Sequence, residues 1–217
     1  MPPPTTNTTT NTTGSSLRTS FVRWLEAADG RGSTAGPTDE LLAEHHVMEA
    51  VLAAMEAEAE GMLAGRPLRP EFWRDVVDFN GNFVHLCHRA KEEEHLVTSL
   101  VAHGRLDGKR EQAIRQEHGS GKDLTLALIE GAAEADWEKV LRLVSIYVHI
   151  MRPHMRREES GIFAAAAELP ADALAQLRRE FAAVDQKALG SGGRRRFVDV
   201  ARRLATMAGV GHDLDLA

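Results

Sequence analysis

From Thr38 almost to the end of the chain, apolar residues recur at helical spacing, and only short Gly- and Pro-containing stretches interrupt them. No strand-like alternation competes, so an all-α fold is expected. Leu41, Leu42, Val47, Met48, Val51, Leu52, Met55 and Met62 line one face of a first helix ending near Leu63. After a GRPLRP loop, a second helix is expected from near Pro70 to about His103, stopped by Gly104. A third spans about Lys109 to Glu134, and a fourth runs from Asp136 to just before Pro170. Thr38 and Asp136 are the expected N-caps of the first and fourth. The triplet Asn80-Gly81-Asn82 looks like a turn, yet Val76, Phe79, Phe83 and Leu86 keep helical phase across it, so the second helix is expected to continue. Four long helices with short connections predict an up-down-up-down four-helix bundle over residues 38–168. Two further helices, about 171–188 and 194–208, form a C-terminal extension over 169–217.

Ahead of the bundle, residues 1–16 are almost entirely Pro, Thr, Asn, Gly and Ser, and are expected to stay disordered. Residues 17–37 are expected to form a short helix around Phe21, Trp24 and Leu25, followed by a Gly/Ser linker. The start has neither a basic nor an apolar stretch, so no secretory signal is expected, and no apolar run is long enough to span a bilayer. A net charge of -6 argues against a nucleic-acid binder, and a single cysteine excludes disulfide frameworks and cysteine-based metal sites. A cytoplasmic protein with ten histidines is the expectation.

The histidines fall into a pattern. The first helix carries Glu44-His45, the second His88-x-x-x-Glu92, the third Glu117-His118 and the fourth His154-x-x-x-Glu158. The two HxxxE pairs are 66 residues apart and the two EH pairs 73, as a helical hairpin used twice would give. Residues i and i+4 share a helix face, so an imidazole and a carboxylate at that spacing can grip one metal, or the carboxylate can reach a second. Four imidazoles and two carboxylates suit iron or manganese better than calcium or thiolate-bound zinc. Two carboxylates leave a di-iron(II) site with excess positive charge, so a bridging hydroxide or oxide is expected.

The segments LLAEHHVMEAVL, HLCHRAKEEEHL, RQEHGSGKDL and RPHMRREESGIF resemble the four helices of hemerythrin-like, HHE cation-binding domains. The resemblance implies a bundle around a non-heme di-iron centre, with His45, His88, Glu92, His118, His154 and Glu158 at the ligand positions and the two glutamates as bridges. Oxygen-carrying hemerythrins have a further His four residues after the one on the third helix, and an Asp five residues after the last His. Here those positions are Lys122 and Glu159, and the usual Phe-Pro after the second-helix motif is Val97-Thr98. The resulting H-HxxxE-H-HxxxE pattern is similar to bacterial hemerythrin-like proteins that handle nitric oxide, peroxide or iron. It argues against reversible oxygen carriage. The implied ligand is a small diatomic or peroxide; the implied alternatives are an oxygen or iron sensor, and delivery of iron or repair of iron centres.

Other residues have two readings. His46 competes with His45 as the first-helix ligand; the symmetry with Glu117-His118 favours His45. His85 and His95 lie one turn before and two turns after His88 and are candidates to support the ligands, or are ordinary packed residues. Glu92-x-x-His95 is a single ExxH where a ferritin-like site needs two. Tyr147, two turns before His154, can donate a hydrogen bond or an electron, or simply pack. Gly81, Gly119 and Gly121 can open a path for a small ligand or allow close helix packing. Glu44 and Glu117 can anchor imidazole N–H groups or face solvent. Glu93 and Glu94 are expected to be solvated, and so is the basic face formed by Arg194–Arg196, Arg202 and Arg203. Cys87 is expected to be a small buried residue.

Overall fold

The structure, a computed structural model, describes residues 36–210. The expected tail at 1–16 and most of the expected helix and linker at 17–37 lie outside the described residues. Six helices follow in order among the described residues, with no strand. α1 is Pro37–Leu63 and α3 is Gly108–Ala133. α2 covers 70–102: it is α-helical over Pro70–Asp78 and Val97–Ala102, and widens to π-helix over Phe79–His88 and Lys91–Leu96. α4 covers 137–166, with a π segment at Glu159–Phe163. α5 is Ala171–Ala188 and α6 is Gly193–Ala208. None of these helices is long and apolar enough to cross a membrane.

Local chemistry explains the ends. α1 starts two residues earlier than expected: Gly36 is the cap rather than Thr38, Pro37 opens the helix, and the Asp39 carboxylate accepts the Gly36 N–H at 2.8 Å. Asp107 and Asp136 cap α3 and α4 by accepting the N–H groups of Arg110 and Lys139. Gly104, at φ +67°, ends the turn after α2 in the left-handed region. The helix continues through Asn80-Gly81-Asn82, in π form. There the Asn82 amide donates to both the carbonyl and the carboxylate of Asp78, one turn back. π segments of this kind are rare and concentrate at functional sites.

Apolar packing divides along the bundle. One buried cluster holds Val51, Met55, Phe72, Phe79, Phe83, Val144 and Tyr147, and α6 closes it from outside with Phe197, Ala201 and Leu204. A second cluster holds Leu41, Leu96, Leu100, Ile162, Phe163 and Phe181. Along each of the four bundle helices, the EH or HxxxE motif falls between the stretches that feed the two clusters. A layer of buried charge is therefore held between two dry ones.

Candidate metal centre

The six residues of the H-HxxxE-H-HxxxE pattern converge in that layer. His45, His88, Glu92, His118, His154 and Glu158 are all buried, the glutamates at 0% and 3% exposure. The imidazoles form two pairs, His45 with His88 and His118 with His154, their ring centroids 4.9 and 4.8 Å apart. Each glutamate reaches both pairs. Glu92 Oε1 lies 3.3 Å from His88 Nε2 and 3.9 Å from His45 Nε2, while its Oε2 lies 3.3 Å from His118 Nε2. Glu158 Oε2 lies 3.6 Å from His45 Nε2, while its Oε1 lies 3.0 Å from His118 Nε2 and 3.2 Å from His154 Nε2.

These donors fit a pair of metal ions. Nitrogen and oxygen donors bonded to one ion at about 2.1 Å stand roughly 3.0–3.4 Å from each other, close to the spacings found here. Both oxygens of Glu92 and Oε2 of Glu158 are buried without a hydrogen-bond partner among the described residues. Buried carboxylate oxygens left this way are costly unless a cation compensates them. His45, His88, Glu92 and Glu158 form one cluster able to hold an ion, and His118, His154 and Glu158 form another.

The outward-facing nitrogens are held as regularly as the inward-facing ones. His88 Nδ1 lies 2.8 Å from Glu44, His118 Nδ1 2.8 Å from Glu93, His154 Nδ1 2.8 Å from Glu117, and His45 Nδ1 3.0 Å from Glu159. The carboxylates belong to α1, α2, α3 and α4, and each reaches the imidazole of the next helix round the bundle. The ring closes from α4 back to α1. Such a bond fixes the ring's orientation and tautomer and presents Nε2 to the interior. Glu44 and Glu117 thus anchor imidazoles, those of the opposite motif rather than of their neighbours His45 and His118. Glu93 is not solvated, and Glu159 is more than a substitution for Asp; Glu94 is exposed. The signal for both was present, since each HxxxE is followed by a second glutamate.

Protons take the place of a cation in the electrostatics. Burial would lower His88, but the nearby Glu92 charge and the hydrogen bond and charge of Glu44 prevail and push it up to about 10. Burial is likewise outweighed at His118, where Glu158, Glu92 and Glu93 push it up to about 11. Burial would raise Glu92, yet His88 and His118 hold it well below the carboxylate range. Burial and the Glu92 charge push Glu158 up to about 8. His154 drops to about 4 through burial and the neighbouring His118 charge, and burial lowers His45.

Behind Glu44 the network runs deeper. Lys91 is fully buried and its Nζ contacts Glu44, Glu40 at 2.7 Å and Asp185 of α5 at 2.6 Å. Arg194 of α6 joins Glu40 and Asp185. Glu44, Cys87 and Asp185 also cluster as possible ligands, but Lys91 already supplies their cation. Cys87 is buried, and its thiol, raised by burial, contacts Asp185 at 3.0 Å.

The remaining candidates lie around the site. His95 faces Glu180 of α5 at 3.2 Å, away from the cluster, and His46 bonds the Leu42 carbonyl. Tyr147 is buried in the first apolar cluster. His85 contacts Thr125 Oγ1 at 3.0 Å. A cavity of about 20 Å³ touches His85, His88, His118 and His154, with Met48 and Met151 among its walls. Gly121 also lines it, and a Cβ there would meet Met151 Sδ at 3.3 Å; at Gly81 and Gly119 a Cβ would meet nothing. On the opposite side, a cleft of about 480 Å³ between α3 and α4 reaches Glu117 and Glu158 past Arg105, Arg110 and Arg157.

Comparison with curated proteins and with solved structures returns no match. One family model does match, over residues 36–166: the hemerythrin HHE cation binding domain.

Proposed function

Because the chain belongs to the hemerythrin HHE cation-binding domain family, we propose that its bundle holds two iron ions. His45 and His88 hold one, His118 and His154 hold the other, and Glu92 and Glu158 span both. The observation that carries this reading is the pair of buried glutamates, each with one oxygen toward each imidazole pair and three of their four oxygens otherwise unpartnered. Four imidazoles with two carboxylates suit iron.

Iron bound there supplies redox and Lewis-acid chemistry toward a small oxygen- or nitrogen-containing ligand: nitric oxide, hydrogen peroxide or O2, in defence against nitrosative or oxidative stress. The chain's own part is positional. Glu44, Glu93, Glu117 and Glu159 aim the four Nε2 atoms inward. Phe163, 5.1 Å from the His45 ring, covers that imidazole. The small cavity beside His88, His118 and His154 admits a ligand of one or two heavy atoms.

The test is iron-loaded protein mixed with hydrogen peroxide, nitric oxide or O2 while its optical spectrum and the loss of each ligand are followed. A spectral change with peroxide or nitric oxide consumed catalytically supports an enzyme of stress defence. A stable reversible O2 adduct contradicts it. A second reading, a sensor, draws support from the contact of Lys91 with both Glu44 and Asp185, which joins α5 to the ring. It requires binding without turnover and a changed protease sensitivity over 171–208.

A further inference from the structure

Thr125 of α3 lies one turn beyond Gly121, a residue that lines the small cavity, and is buried beside His85. Its hydroxyl has one proton, and that proton goes to the Gly121 carbonyl, 3.1 Å away, one turn back on α3. The hydroxyl oxygen therefore faces His85 Nε2, at 3.0 Å, as an acceptor. With the hydroxyl proton so directed, His85 Nε2 carries the ring hydrogen and Nδ1 of the neutral ring is a bare lone pair. That Nδ1 is shut off from solvent and has no hydrogen-bond partner among the described residues. Burial and the nearby Arg89 and Lys122 charges lower the ring to about 4, which keeps it neutral. His85 lines the same cavity as His88, His118 and His154.

We propose that His85 Nδ1 is the hydrogen-bond acceptor for a ligand bound in this cavity, and that it selects ligands carrying a proton, such as hydrogen peroxide, over ligands of similar size without one. The proposal rests on the two-iron reading. Thr125 is a positioning residue that sets the tautomer. The cavity, at about 20 Å³, has room for a water or a two-atom ligand and little else. Within that size limit, a single acceptor is the feature left to discriminate between ligands.

The experiment compares two probes on iron-loaded protein of measured metal content. Hydrogen peroxide can donate a hydrogen bond; nitric oxide, also of two heavy atoms, cannot. In His85→Leu, peroxide affinity, read from saturation of the spectral change, is expected to fall about tenfold, the scale of one buried hydrogen bond. Nitric oxide affinity is expected to stay within about twofold. His85→Gln, whose amide oxygen can accept, is expected to recover most of the peroxide affinity. Independently of metal, 15N NMR of histidine-labelled, metal-free protein is expected to show His85 protonated at Nε2, and Thr125→Val to release that preference. Equal losses for both probes, no loss for peroxide, or a wild-type ring protonated at Nδ1 would overturn the proposal. Wild-type protein that takes up no iron would instead sink the two-iron reading beneath it, while the NMR result would still stand.

Discussion

The same three-residue arrangement occurs twice in the bundle, in opposite settings. On α2, Lys91 precedes Glu92 and touches Glu44, which holds His88. On α4, Arg157 precedes Glu158 and touches Glu117 at 3.0 Å, and Glu117 holds His154. Lys91 and Glu44 are both 0% exposed, roofed by Asp185 and Arg194 of the C-terminal helices. Arg157 and Glu117 are 56% and 35% exposed, beside the wide cleft. A duplicated motif thus gives two ion positions with like donors but unlike surroundings: one backed by buried ion pairs, the other by charges that water and salt can reach. The C-terminal extension makes the difference, since its α5 supplies Asp185.

The largest effect should come from Lys91→Met. It takes the lysine from the buried Glu44 carboxylate and leaves Asp185 to Arg194 alone, and stability should fall by about 3–5 kcal/mol in urea denaturation. Next in size is the loss of a carboxylate that orients an imidazole. Glu44→Gln should weaken metal binding by about 10- to 100-fold in chelator competition, and Glu117→Gln should fall at the low end of that range because solvent already shares its role. If both variants lose equally, burial is not what separates the two positions.

Acidity comes next. His88 and His118 are raised in the folded, metal-free chain to about 10 and 11. Their contribution to stability is complete below the ordinary imidazole value of about 6.5. It is lost as pH rises through the folded values, and Glu158, raised to about 8, acts in the same direction. The metal-free chain should therefore lose denaturation midpoint between neutral pH and about pH 10, and metal binding near neutrality should release protons. Calorimetry in buffers of different ionisation enthalpy measures that release. The smallest effect belongs to Arg157→Met. It should cost at most about 1 kcal/mol, and the cost should vanish in about 1 M salt, where screening acts within a few ångströms.

Most of the fold was legible because helix boundaries are local. Asp136 before α4, Gly104 after α2 and the phase of Val76, Phe79 and Phe83 all act within a turn or two. The convergence of the six His and Glu positions followed from i, i+4 spacing on four helices that pack in sequence order. What escaped depends on neighbours. On an ideal helix, Glu93 points about 100° away from Glu92, so within its own helix it reads as solvated; its partner His118 is on the next helix. Glu159 has the same relation to His45. Lys91 is buried only because Asp185, 94 residues later, folds over it. His95 sat on the His88 face by count, yet found Glu180 of α5 instead. The one local misreading was at Thr38: Pro37 moved the helix start back, and Gly36 took the cap.

Two imidazole pairs and two shared glutamates should make a site for two ions. Anaerobic titration of the metal-free chain with ferrous iron tests it most directly. Two equivalents per chain are expected, falling to one or fewer in His154→Ala. A chain that binds no iron, or one that still binds two equivalents without His154, would contradict the account.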